Sequence, residues 1–165
     1  MRGRSIWLAK EIVKNNYTIG AEIGAAIGLT TGYVLQYCPK LKKLYVADDW
    51  RPVPGSGIFD STVMEEDFRG VVRNYSSKVI ILKGVSWEVA RRVEDETLDF
   101  IFVDASHDYI SVANDLGAWI PKVKKGGLLS GHDVHWGGVK QALQDIIPDY
   151  QETGIDNTWM KIKEE

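Results

Sequence analysis

With one cysteine, Cys38, in 165 residues, the chain can form no internal disulfide, and that residue has no metal-type spacing around it. It is expected to pack as a small apolar side chain. No run approaches the eighteen or so apolar residues of a membrane span. The basic start Met1-Arg2-Gly3-Arg4 leads into Ile6 to Val13, which Lys10 and Glu11 interrupt, so the unbroken apolar region of a signal peptide is missing. A cytoplasmic protein with no membrane partner is expected. Basic excess is lacking too: the formal charge is -3, and no basic stripe with interleaved aromatics offers itself to a nucleic acid. Lys40, Lys42 and Lys43 read as a solvated turn. Histidine is scarce, at three residues, and neither an internal repeat nor a low-complexity segment occurs.

What is present suits an enzyme domain. Apolar residues make up 44% and charged residues 26% of the chain, and the length is that of one domain over residues 1–165, large enough to bury a core. Apolar positions Ile6, Leu8, Ala9, Ile12 and Val13 predict a leading helix within residues 1–16, capped by Ser5. Strands are then predicted over 18–23, 43–47, 79–83, 100–103 and 127–131. Helices are predicted over 30–38, 61–75, 87–93, 110–119 and 138–147. Residues 52–57 read as a proline- and glycine-rich loop, and 150–152 with 158–162 as a closing pair of strands. This alternation predicts an α/β fold: a Rossmann-like doubly wound sheet, mostly parallel, with an antiparallel C-terminal strand.

Ligands of such sheets bind beyond the carboxyl ends of the strands, where strand order reverses. Glu22, Asp48, Ser86, Asp104 and His132 fall at or just past predicted strand ends and should converge on one rim. The first of these turns carries Glu22-x-Gly24-x-x-x-Gly28-x-Thr30-Thr31. A dinucleotide fingerprint wants G-x-G-x-x-G, but Ala26 stands where the second glycine would let a pyrophosphate approach, and Leu29 where the third would be. A nicotinamide-dependent oxidoreductase is therefore disfavoured. Glycines that serve only helix and strand packing would give the same local pattern.

The Glu-x-Gly-x-x-x-Gly-x-Thr-Thr segment resembles the first motif of class I S-adenosylmethionine-dependent methyltransferases. The second strand ends at Asp48-Asp49, at the distance where an acidic side chain can accept hydrogen bonds from ribose hydroxyls. Further on, Asp104-Ala105-Ser106-His107-Asp108-Tyr109 and Lys125-Gly126-Gly127 leading to Gly131-His132-Asp133 are similar to two segments of the methyltransferase 24 family. That family, which is small-molecule O-methyltransferase-like, has Asp-Gly-x-His-x-Tyr and Pro-Gly-Gly followed by His-Asp there. Two departures stand out. The family's Gly-Asp-Ser appears as Gly84-Val85-Ser86, without a carboxylate for the adenine amino group, and its glycine after the fourth-strand aspartate is Ala105.

The resemblance implies S-adenosylmethionine as cofactor, S-adenosylhomocysteine as its product, and a small hydroxylated molecule as acceptor. Cofactor contacts are expected from Glu22, Gly24, Ala26, Gly28, Thr30 and Thr31, from Asp48 with Asp49 as the fallback, from Val85 and Ser86, and from Asp104. Removing the acceptor's proton calls for a base, and His107 or His132 is expected in that role beside Asp104, with His135 a weaker candidate. Some related O-methyltransferases hold a divalent cation, and the matching set here is Asp104, His132 and Asp133, which could bind magnesium or manganese. Alternatively, Asp133 caps the next segment and Asp104 bonds backbone. Trp50, Phe59, Tyr109 and Trp136 are aromatics placed to stack on an acceptor or to pack in the core. With little sequence to form a lid, a homodimer could complete the site. A module that binds the cofactor without transferring a methyl group is the remaining alternative, motivated by Val85 and the missing lid.

Overall fold

A computed structural model describes residues 3–51 and 61–164. Its first helix, α1 (Gly3–Lys14), turns the apolar spacing of the leading segment into a buried stripe of Trp7, Leu8, Ala9 and Ile12. Ser5 does not cap it: the helix starts two residues earlier, and the buried Ser5 hydroxyl lies 2.9 Å from that of Thr30. The core then alternates β1 (Ile19–Ile23), α2 (Leu29–Tyr37), β2 (Lys43–Asp48), α3 (Ser61–Val72), β3 (Val79–Lys83), α4 (Ser86–Val89), β4 (Leu98–Val103), α5 (Tyr109–Trp119), β5 (Val123–Gly131) and α6 (Gly137–Ile146). The chain closes with β6 (Gln151–Glu152) and β7 (Trp159–Ile162). The predicted 87–93 helix is instead a single α turn followed by a 3₁₀ turn over Ala90–Arg92. The predicted 52–57 loop and Phe59 lie outside the described residues.

The seven strands are ordered β3-β2-β1-β4-β5-β7-β6; the first five are parallel, and β7 runs antiparallel to both its neighbours, β5 and β6. Alternation along β4 shows how the sheet is covered on both faces. Phe100 and Phe102 belong to an apolar cluster with Trp7, Leu8 and Ile12 of α1, Val34 and Leu35 of α2, and Phe68 of α3. Ile101 and Val103 belong to the opposite cluster with Val112, Leu116 and Trp119 of α5 and with Val139 and Leu143 of α6. That period of two is the mark of a strand buried on both sides. Cys38 is buried as expected, and burial pushes its thiol pKa up to about 11.

Strand order reverses between β1 and β4, whose registers pair Glu22 with Phe102 and Ile23 with Val103. There the ladder continues one step past the strands. Gly24 N–H donates to Ala47 C=O, Asp104 N–H to Ile23 C=O and His132 N–H to Val103 C=O, at 2.9, 2.7 and 3.0 Å. These bonds fix where the polar residues emerge.

Candidate active site

A cavity of about 500 Å³ opens at this switch point. Its size lies within the range of pockets for small molecules and cofactors, roughly 300–1,000 Å³. Of the residues expected from the sequence, Glu22, Gly24, Ala26, Thr30, Asp48, Asp49, Val85, Ser86, Asp104, His107, His132 and Asp133 line it. Gly28 and Thr31 do not: Gly28 sits at the start of α2 in the left-handed region, and the buried Thr31 hydroxyl donates to Glu22. Thr30 reaches the wall, but its hydroxyl is engaged with Ser5. His135 is half exposed, with Nδ1 4.0 Å from Asp133.

On the β1–β2 side, the loop after Gly24 is held from below. Asp48 Oδ2 accepts from the N–H groups of Ala25 and Ala26 at 2.7 and 2.9 Å, and Oδ1 from Trp50 N–H at 2.7 Å. Three of about four acceptor positions on that carboxylate are thus spent on backbone. Asp48 still lines the cavity, with its remaining acceptor capacity on that side. Asp49 is the freer group: among the described residues its carboxylate is held by Arg51, through the backbone N–H at 2.9 Å and Nε at 2.6 Å. Trp50, nearly fully buried, clamps the same loop by donating from Nε1 to Ala26 C=O at 2.8 Å. Ala26, Trp50 and Asp133 all adopt positive φ (47°, 51° and 60°), so sparsely populated backbone gathers at the rim.

Glu22 lies at the floor. Burial raises its pKa to about 8, against the hydrogen bond from Thr31, and the nearby Asp104 and Asp48 charges push the same way as burial. On the β3 side, Ser86 donates its hydroxyl to Asp115, which is buried in α5 and whose pKa burial lifts to about 7. The hydroxyl proton being committed there, the Ser86 oxygen can present lone pairs to the cavity. Ala105 causes no difficulty, because the turn after Asp104 does not place it at positive φ.

The β4–β5 side is a network of carboxylates and bases. His107 Nε2 is 2.7 Å from Asp133 Oδ2, and its ring stacks on Trp136 with centroids 5.1 Å apart. The bond to Asp133 raises the His107 pKa, although burial pulls it down. His132 Nδ1 lies 3.0 Å from Asp133 Oδ1 and 3.4 Å from Asp104 Oδ1. Burial opposes charge on His132, but the two carboxylates outweigh it and set its pKa at about 9. Asp104, His132 and Asp133 could hold a metal ion: their ligand atoms lie within 4.8 Å of one another. His132 Nδ1, buried and without a well-directed hydrogen bond, is the type of donor such an ion would use. The donor atoms are of the right chemistry for a cation, but the guanidinium of Arg4 already stands against two of the three residues.

Several residues of the site escaped the sequence reading. Arg4 of α1 reaches the cavity and pairs with Asp104, Nε to Oδ2 at 2.9 Å. Trp87, Met64, Arg51 and Ser111 also line it. Asp156 accepts from Arg4 N–H at 3.0 Å and lies 3.8 Å from His132 Nε2. Only Asp115 had left a local signal, as an acidic residue inside the apolar stripe Val112, Leu116, Trp119. Of the expected aromatics, Trp50 is core, Tyr109 donates to Asp145 at 3.1 Å, and Trp136 stays half exposed beside His107.

A family model described as a methyltransferase domain, that of the methyltransferase 24 family, matches residues 21–134. No curated protein matches the chain. Among solved structures, the O-methyltransferase NovP is similar at 19% identity and a TM-score of 0.74, over 98% of this chain and 78% of that one. SAH-bound PaMTH1 of Podospora anserina gives 16% identity and a TM-score of 0.74 over 98% and 78%. An O-methyltransferase from Bacillus cereus, in complex with SAH, gives 15% and 0.71 over 98% and 80%. Likeness at such identities concerns the fold.

Proposed function

The chain belongs to the methyltransferase 24 family, and from that premise we propose that it transfers a methyl group from S-adenosylmethionine to an oxygen of a small hydroxylated molecule. The observation that carries this reading is a single cavity with two unlike sides: acidic residues and a clamped loop on one, a histidine–aspartate pair beside an exposed tryptophan on the other. Asp48, Asp49 and Asp104 suit a cofactor bearing sulfonium and ammonium charge, and are a poor setting for a pyrophosphate.

When bound, the cofactor supplies the electrophilic methyl group. The protein's part is to hold both partners in line and to take a proton. Asp49 offers the ribose its carboxylate, while Asp48 and Trp50 keep the loop in shape. Ser86, oriented by Asp115, and the backbone around Val85 offer the adenine edge polar contacts in place of the missing carboxylate. His107 is the base. Asp133 orients its ring, as the carboxylate does in a catalytic triad, and Trp136 gives a flat surface beside it for the acceptor. His132, held charged at neutral pH, is less suited to accept a proton. If a divalent ion enters, Asp104, His132 and Asp133 are the residues that would hold it, and it would lower the pKa of a bound hydroxyl.

This reading takes the whole chain as one domain. It also includes a homodimer, because Ile110 and Trp136 leave apolar surface exposed near His107 that a second copy would cover. Its cytoplasmic placement rests on the sequence features given above; among the described residues no helix is long and apolar enough to cross a membrane.

The test is transfer of labelled methyl from S-adenosylmethionine to a panel of small phenols, sugars and hydroxy acids. His107→Ala should lower kcat by about 10²–10⁴-fold while leaving S-adenosylhomocysteine affinity unchanged. Tight cofactor binding with no transfer to any acceptor would favour a binding module instead.

A further inference from the structure

We propose that the guanidinium of Arg4 is the resident cation of the Asp104–His132–Asp133 cluster, excluding a divalent ion from it, so that methyl transfer proceeds without metal. The juxtaposition is specific. Asp104 meets Arg4 Nε with one carboxylate oxygen at 2.9 Å, while its other oxygen faces His132 Nδ1 at 3.4 Å. Arg4 Nη1 stands 3.4 Å from His132 Nε2. Two of the three residues that could ligate an ion are therefore already in contact with a fixed positive charge, and a second cation among them would be repelled at short range in a partly buried setting.

The charge is fixed because α1 is anchored. Trp7, Leu8 and Ile12 bury its inner face, Ser5 meets Thr30, and Asp156 accepts from the Arg4 N–H. The Arg4 side chain itself is only 11% exposed. Its ion pair with Asp104 lacks the direction of a good hydrogen bond, so what it contributes there is mainly charge. The role is that of a positioning residue: it neutralises Asp104 and leaves Asp133 free to orient His107. The inference rests on the transfer reading only for the word methyl; the competition for the cluster stands on the geometry.

Mn²⁺ titration followed by electron paramagnetic resonance tests it directly, on the full chain and on Arg4→Gln and Arg4→Met; the latter keeps an apolar stem to pack if the former does not fold. Both variants are expected to bind Mn²⁺ at least tenfold more tightly than the unaltered protein, and methyl transfer by the unaltered protein is expected to survive chelator. Equal Mn²⁺ affinity in all chains, absence of binding in every one, or chelator-sensitive transfer would each overturn the proposal. S-adenosylhomocysteine titration of the same samples separates the two readings. Loss of that binding with the Arg4-dependent Mn²⁺ pattern intact would remove the cofactor assignment and leave the competition standing.

Discussion

Glu22 illustrates how a residue legible as a motif member can work differently from what the motif implies. Its place at the end of β1 follows from the apolar run before it, yet its state depends on burial from both faces of the sheet, which no local pattern displays. With a pKa near 8, it holds a proton at neutral pH. A folded-state pKa above the unfolded value means stability fully present below about 4.5 and lost as pH rises through about 8. Asp115, raised to about 7, acts in the same direction, and so does His132, whose contribution is full below about 6.5 and fades as pH passes about 9. Asp133 runs the other way: its lowered pKa gives stability present above the ordinary aspartate range and lost in acid. The urea midpoint should thus decline from about pH 5 to pH 9. Glu22→Gln, which keeps an acceptor for Thr31 and removes the titration, should flatten part of that decline. An unchanged slope would mean that Glu22 is ionised in the fold.

At the scale of elements, the strand–loop–helix after β1 shows that one glycine can answer two demands. Gly24 reads as a place where a ligand approaches backbone, and a Cβ there would come within 2.3 Å of Asp104 C=O and 2.6 Å of Ala105 Cα. The glycine lets the β1 and β4 turns close on each other. Its φ of +85° adds a second requirement. Gly24→Ala should therefore destabilise the protein by at least the 1–3 kcal/mol typical of such backbone strain, measured by thermal or urea unfolding, and should weaken cofactor binding as the loop shifts. Stability within about 0.5 kcal/mol of the parent would show that the turns are not packed as described. The helices α2, α5 and α6 were legible within a residue or so, α2 and α6 because Pro39 and Pro148 stop them. α1 was legible as a helix and not as part of the site, because Arg4 meets its partner a hundred positions away.

For the molecule as a whole, the parallel order, the antiparallel close and the rim of strand-end residues all followed from alternating elements and from where polar residues interrupt apolar runs. What did not follow were the contacts between rims: Asp48 beneath the Gly24 loop, Asp115 behind Ser86, and Arg4 and Asp156 around His132. Each joins elements that topology brings together and sequence keeps apart. Together they turn a Rossmann-like sheet into a cavity with two unlike sides, which we propose serve a cationic cofactor and an acceptor. Calorimetric titration with S-adenosylmethionine and S-adenosylhomocysteine, run beside a nicotinamide dinucleotide, tests that most directly. Micromolar binding of both adenosyl compounds and none of the dinucleotide is expected; binding of the dinucleotide, or of none of the three, would contradict that assignment of the cavity.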